Sequence, residues 1–414
     1  MIRRPSRFRL RLTATLAAAL SGVLGVGLAA GTSSAATVRA QSAAAAGVPA
    51  APAAAAGAAA PTDLSRAVID STMKRVPDPT KLGGWGYQVG LFLYGTDLVY
   101  QRTHDAKYLN YIKGWVDHFV SSSGHLSNSF NNLDSMQAGN LLILLNQQTG
   151  QAKYATAAAQ IRTRLNTYPR TPDGGFWHAT SKTNQLWLDG TYMVVPFLLR
   201  YGAAYNDAAY ADAEAGKQIT VYGSHLESPT GLLYHAYSLD PISWADPATH
   251  HSSQFWCRAI GWYGMASLAT LDALPKSDPH RATILSTVQK LVSAIGTYQD
   301  PATGRWFQVV DKGGLSSDWT ETSCSAMYTF IVAKSVALGY VPTADQSIAT
   351  KGYQGVLAEV STDSAGATHI KNICIGTNVG DLSYYLGRPR ATDDFHGLGA
   401  FLIMNEWMQG NRAG

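Results

Sequence analysis

Gly174-Gly175-Phe176-Trp177-His178 sits inside a long connection between two helical stretches. It returns in degenerate form as Gly231-Leu232-Leu233-Tyr234-His235 and as Gly304-Arg305-Trp306-Phe307-Gln308. Each copy sets glycine before aromatics and a polar residue, just ahead of a helix that begins with more polar and aromatic groups. Around these copies the hydrophobic periodicity predicts helices at 63–75, 85–103, 105–122, 133–149, 151–167, 186–203, 207–224, 254–273, 280–298, 321–340, 343–359 and 395–410, and no long strand. Asp105 is placed to cap the third segment, Gly150 to end the fourth and Asp207 to open the seventh.

The links between these segments alternate in length. Those joining segments 2 to 3, 4 to 5, 6 to 7, 8 to 9 and 10 to 11 are short, whereas the others occupy 123–132, 168–185, 225–253, 299–320 and 360–394. Structureless loops beyond about 12–15 residues are usually functional or disordered. These are rich in aromatics and histidines, which disordered loops lack. Six units of about 58 residues each suit two helices and their loops. The pattern therefore predicts an all-α (α/α)6 barrel of six helical hairpins, with the even-numbered helices inside and every long loop on one rim.

Composition agrees. Of 414 residues 46% are hydrophobic and only 14% charged, against a usual charged share of about 25%. With 39 Gly, 21 Tyr and 10 Trp, this excludes a disordered polyelectrolyte and a coiled coil. The formal charge of +4 is misleading, because residues 1–36 hold five arginines and no acid, and without them it becomes −1. A near-neutral chain has no basic surplus for nucleic acid. Arg3, Arg4, Arg7, Arg9 and Arg11, an apolar run and the exit Ser34-Ala35-Ala36 follow the order of a secretory signal peptide over 1–36. The alternative is a membrane anchor, since the run is nearly long enough to span. Residues 37–62 read as an Ala/Pro-rich linker, and 63–414 as the barrel domain. The expectation is a secreted monomer with no membrane attachment after cleavage. Cys257, Cys324 and Cys374 allow at most one disulfide; their spacing fits no zinc motif, and they read as small buried thiols.

The inner helices start with Asn131-Asn132-Leu133-Asp134, Gln185-Leu186-Trp187-Leu188-Asp189, Gln254-Phe255-Trp256-Cys257-Arg258 and Thr320-Glu321-Thr322-Ser323. A cleft with aromatic faces and a few charged groups suits a sugar ring, whose C–H faces stack on indole while its hydroxyls need fixed partners. Taken singly, Asp134 and Asp189 read as N-caps. Brought together in such a cleft, two carboxylates push their proton affinities apart. His178 and His235 are either site residues or hydrogen-bonded loop residues. Arg258, among aromatics on an inner helix, needs an internal acid or an anionic ligand. His250-His251 reads as exposed loop, and no metal is assigned.

At this point the motifs resemble a known family. Gln185-Leu186-Trp187-Leu188-Asp189-Gly190-Thr191-Tyr192-Met193, Phe255 to Trp262, Glu321 to Met327 and Asp394 to Phe401 are similar, in order, to the unsaturated rhamnogalacturonyl hydrolases, glycoside hydrolase family 105. Cys257 and Cys324 depart from it, standing where small residues are expected. The resemblance implies an (α/α)6 barrel that removes the unsaturated uronic acid left by polysaccharide lyases, by hydrating its vinyl ether. By the same resemblance Asp189 would be the acid/base, with Asp134 supporting it and holding the sugar. His178 and His235 would contact the uronate or its ring oxygens, Trp187 and Trp256 would stack, Arg258 would hydrogen-bond the substrate and Trp262 would finish the wall. Trp85 and Tyr87, at the first inner helix, are further candidates for substrate binding. No metal or organic cofactor is implied, because the double bond itself supplies the carbon that accepts a proton. Three rivals stand beside this reading: an unsaturated glucuronyl hydrolase, a conventional inverting glycosidase using Asp134 and Asp189, and a non-catalytic carbohydrate-binding barrel.

Overall fold

The computed structural model describes residues 62–411; the expected signal peptide and almost all of the linker lie outside them. An outer set of helices, α1 (Leu64–Arg75), α3 (Ala106–Phe119), α5 (Ala152–Leu165), α7 (Ala208–Leu226), α9 (Arg281–Thr297) and α11 (Gln346–Leu357), alternates along the chain with an inner set. The inner set is α2 (Tyr87–Thr103), α4 (Gly139–Thr149), α6 (Asp189–Ala204), α8 (Cys257–Ala273), α10 (Thr322–Ala337) and α13 (Phe395–Met408). Each inner helix packs on the next, and α13 returns to α2, so the ring closes. This is the (α/α)6 barrel that the loop alternation predicts. A short extra helix, α12 (Leu382–Leu386), lies in the last long loop.

Inner helices touch neighbours on nearly every side, so they lack a polar face; α8, α10 and α13 are buried along almost their whole length. That requirement explains the low charge content. At the closing seam the backbones approach closely. A methyl group added at Gly399 of α13 would lie 2.9 Å from a backbone carbon of Leu91 in α2.

The long loops form one rim, and they are stitched rather than loose. Antiparallel pairs join β1 (Gln185–Trp187) to β2 (Ala236–Ser238), β3 (Trp306–Phe307) to β4 (Thr320–Glu321), β5 (Val360–Thr362) to β6 (Thr368–Ile370) and β7 (Ile373–Cys374) to β8 (Arg390–Ala391). Inner helices therefore begin later than periodicity suggests. Gln185–Trp187 is spent on β1, so α6 starts at Asp189; a 3-10 turn at Leu133–Ser135 precedes α4. The glycine turn read three times in the sequence occurs five times. Gly124, Gly174, Gly231, Gly304 and Gly366 all have φ between 71° and 97°, a region that side chains disfavour. Each donates its N–H back to a carbonyl three or four residues earlier.

Two local expectations change. Cys257 and Cys324 are not separate thiols but a disulfide between α8 and α10, with Cα atoms 5.6 Å apart, and only Cys374 is free. Asp207 opens α7, yet its carboxylate goes to Arg162 Nε at 2.5 Å instead of a helix amide. Asp105 and Gly150 behave as expected at their helix ends. His250 and His251 are half-buried rather than free in solvent, the latter stacked on Tyr234 at 3.7 Å.

Candidate active site

Site geometry begins with a repeated backbone bond. The first N–H groups at the inner-helix starts donate to the polar residue of the following glycine turn. Leu133 donates to His178 (3.0 Å), Leu188 to His235 (2.9 Å), Cys257 to Gln308 (3.0 Å) and Thr322 to Asn372 (2.9 Å). The first two bonds bring the next residue of the helix start, Asp134 or Asp189, beside the histidine of the neighbouring turn. His178 Nε2 lies 3.8 Å from Asp134 Oδ1, and His235 Nε2 lies 3.0 Å from Asp189 Oδ2.

Neither aspartate is a cap. Asn132 caps the 3-10 turn that carries Asp134, accepting from Ser135 N–H at 2.8 Å. Asp189 is the first residue of α6, one place inside its N-terminus. Both carboxylates remain open to the rim, with side chains 33% and 13% exposed. Burial and the charge of Asp189 push Asp134 up to about 7, with Lys182 opposing. Burial also pushes Asp189 upward, but the field and hydrogen bond of His235, helped by His178 and backbone donors, outweigh it and hold Asp189 below the ordinary carboxylate range. Below about pH 7, and above the lowered range of Asp189, the pair holds one proton, and it rests on Asp134. Burial, together with Lys182 and His235, lowers His178 to about 4 against the pull of Asp189, so His178 is neutral.

The remaining expected residues surround this pair, several in different roles. Trp187 stacks on His178 at 4.5 Å and carries the Lys182 ammonium 4.2 Å from its ring centroid. Trp256 lies against His235 at 4.7 Å, and Trp262 stacks on Tyr192 at 4.9 Å. Trp256 and Trp262 are each only 1% exposed. The expected stacking of sugar on Trp256 and the expected place of Trp262 in the cleft wall are not open in this arrangement: other rings cover both, Trp256 lying against His235 and Trp262 meeting the edge of Tyr87 at 6.2 Å. Arg258 is wholly covered, so its expected hydrogen bond to substrate is not open in this arrangement. It donates to the carbonyls of Cys374 (2.5 Å) and Ile375 (2.8 Å) and lies 3.9 Å from Glu321, the internal acid that such a cation requires. Trp85 donates to Ser135 O at 2.8 Å, which steadies the turn bearing Asp134.

A second hydrogen-bonded chain approaches from α13. Tyr87 Oη is 2.7 Å from His396 Nε2, and His396 Nδ1 is 2.5 Å from Asp394. Burial, with Asp134 and Asp189 adding negative field, raises the Tyr87 phenol well above its ordinary value, so it stays a hydroxyl. Sequence reasoning missed His396, Asp394, Gln308, Lys182 and Tyr385, whose hydroxyl lies 2.6 Å from His235 Nδ1, as site residues. Gln308 was recoverable, because it occupies the same turn position as His178 and His235. Tyr385 arrives from a loop that no repeat describes.

Among the described residues one group has metal-ligand proximity: Cys257, Glu321 and Cys324. Two of these sulfurs are spent on the disulfide. The Glu321 carboxylate is taken by Ser323 Oγ (2.7 Å) and the N–H groups of Cys324 (2.7 Å) and Cys374 (2.8 Å). This arrangement is structural.

Comparison with known proteins agrees with the geometry. The family described as Glycosyl Hydrolase Family 88 matches residues 64–408. A Glycoside Hydrolase From Family 105 of C. acetobutylicum superposes with TM-score 0.80 at 31% identity, over 84% of this chain and 99% of that one. The unsaturated rhamnogalacturonyl hydrolase YesR of Bacillus subtilis is 27% identical over 66% of this chain and 79% of its own length. The unsaturated glucuronyl hydrolase of Bacillus sp. GL1 shares the fold at TM-score 0.65 and 13% identity, over 84% of this chain and 95% of that one.

Proposed function

The chain belongs to Glycosyl Hydrolase Family 88 and is a glycoside hydrolase, and from that premise we propose that it removes a terminal 4-deoxy-Δ4,5 uronic acid from lyase-generated oligosaccharides. The observation that carries this reading is that Asp134 and Asp189 both stay open to the rim, each beside a histidine of the neighbouring turn, with the charge of Asp189 favouring a proton on Asp134. In the substrate complex the proton held by Asp134 passes to Asp189, which gives it to C4, and the π electrons of C4=C5 form the new C–H bond. C5 becomes an oxocarbenium with the ring oxygen. Water adds at C5 and returns its proton to the Asp189 carboxylate. The hemiketal opens to a ketone, and the hemiacetal left at C1 expels the neighbouring sugar as an alcohol. One water is consumed and the acid is regenerated, with no covalent intermediate.

Such a substrate is an anion. Lys182 provides a cation toward it: its ammonium sits at Trp187, makes no ion pair among the described residues, and acts on Asp134 and His178. The charge of Arg258, by contrast, is engaged by Glu321. Galacturonate linked to rhamnose is the substrate we favour, supported by the activity named for the B. subtilis relative. We further propose export, supported by the basic, apolar and small-residue order of residues 1–36 and by a disulfide suited to an oxidising compartment.

The test is incubation with pectin-lyase, rhamnogalacturonan-lyase and glycosaminoglycan-lyase digests in parallel, following the conjugated ultraviolet absorbance. Fastest loss on the rhamnogalacturonan digest supports the reading, and fastest loss on the glycosaminoglycan digest replaces galacturonate by glucuronate. A second mechanism has one observation in its favour. Burial and the charge of Asp189 favour the proton on Asp134, while His235 holds Asp189 toward its ionised form, the division of labour of an inverting glycosidase. That mechanism predicts cleavage of saturated glycosides and no dependence on the double bond.

A further inference from the structure

We infer that Tyr385 is a positioning residue that fixes the tautomer of His235 and thereby the single N–H aimed at Asp189. The inference deepens the reading of Asp189 as the acid/base and rests on it. His235 is fully buried, and each ring nitrogen has one polar partner: Tyr385 Oη at 2.6 Å from Nδ1, and Asp189 Oδ2 at 3.0 Å from Nε2. An ionised carboxylate only accepts, so when the imidazole carries a single proton that proton belongs on Nε2. Nδ1 then accepts from the Tyr385 hydroxyl. The phenol oxygen in turn accepts the Gly380 N–H at 3.3 Å, which leaves its own proton free for Nδ1.

This order is not easily reversed. A proton on Nδ1 would confront the phenol oxygen with two donors and strip the buried Tyr385 hydroxyl of its acceptor, an arrangement that proteins avoid. The ring is held as well: Tyr385 is fully buried and stacks along Trp256, which lies against His235. The chain from Gly380 through Tyr385 and His235 thus ends on Oδ2, leaving Oδ1 of Asp189 to exchange a proton with substrate. Hydrogen bonds in such a chain polarise one another, so the phenol strengthens the Nε2–H donor. The titratable groups facing His235 and Asp189 are Tyr385 on α12, Asp134 and His178 on the neighbouring rim segments, Tyr87 on α2 and Tyr222 on α7.

Tyr385→Phe keeps the ring and removes the hydroxyl. Without that donor the Nε2–H bond weakens, Asp189 becomes easier to protonate, and the acidic limb of kcat/KM moves to higher pH. We expect a shift of about half to one pH unit and a kcat reduced about tenfold, with KM within twofold. A purely structural role would lower Tm, or alter KM, and leave the limb where it is; that result overturns the inference. Nitrogen-15 NMR of the imidazole in wild-type protein gives a readout independent of turnover. A pyrrole-like Nε2 with a pyridine-like Nδ1 at neutral pH supports the assignment. The opposite tautomer, or an imidazolium, overturns it even if the enzyme hydrates unsaturated uronides as proposed.

Discussion

Leu188 donates its backbone N–H to the carbonyl of His235 at 2.9 Å, and this bond places the side chains of Asp189 and His235 within 3.0 Å of each other. The same bond one repeat earlier, from Leu133 to His178, places Asp134 beside a second histidine. Chemistry here is an outcome of register. Each helix start is tied to the next turn, so a helix residue and a loop residue distant in sequence meet at a fixed spacing.

Asp189→Asn removes the acid but keeps shape and the bond to His235. Turnover should fall by about 10³-fold or more, while Tm and the affinity for an unsaturated disaccharide, read by calorimetry, change little. Near-wild-type rates would remove Asp189 from the chemistry.

Asp134 links activity to pH. The pair must hold one proton, and Asp134 keeps it up to about pH 7, so kcat/KM should decline as pH rises through that value. Its folded-state proton affinity lies above that of an unfolded carboxylate, so stability is full below about pH 4 and is lost as pH climbs toward 7. Asp134→Asn should therefore raise Tm at pH 8 more than at pH 4, while severely reducing turnover. A Tm gain that ignores pH contradicts this.

Lys182→Met tests anion recognition. Wild type should prefer the free acid of an unsaturated uronide over its methyl ester, and the variant should lose that preference chiefly through KM. An equal preference in both proteins would move recognition elsewhere.

The disulfide closes a separation of 67 residues, for which chain entropy gives about 4 kcal/mol of stabilisation. Cys257→Ser with Cys324→Ser should lower the unfolding free energy by about 2–4 kcal/mol in denaturant titrations. A change below 1 kcal/mol would show that packing of α8 on α10 carries the contact alone.

The barrel was legible because its signal is repeated: short and long links alternate, and glycine turns recur at Gly174, Gly231 and Gly304. Asp134 and Asp189 were legible as a pair in adjacent repeats. Their division of the proton was not, since it depends on how His235 and Lys182 lie in space. Arg258 shows the same limit. Sequence required either an internal acid or an anionic ligand, and only packing reveals Glu321 as its partner. The disulfide was hidden for a related reason: Cys257 and Cys324 stand on helices adjacent in the ring, which spacing along the chain does not encode.

Deuterium delivery tests the central claim most directly. An unsaturated disaccharide turned over in D2O and sampled early, before product exchange, should yield released uronate with one deuterium at C4, and absorbance should vanish in step with release of the neighbouring sugar. Neighbouring sugar released while the absorbance persists, with no deuterium at C4 in the first product, would contradict protonation of the alkene by Asp189.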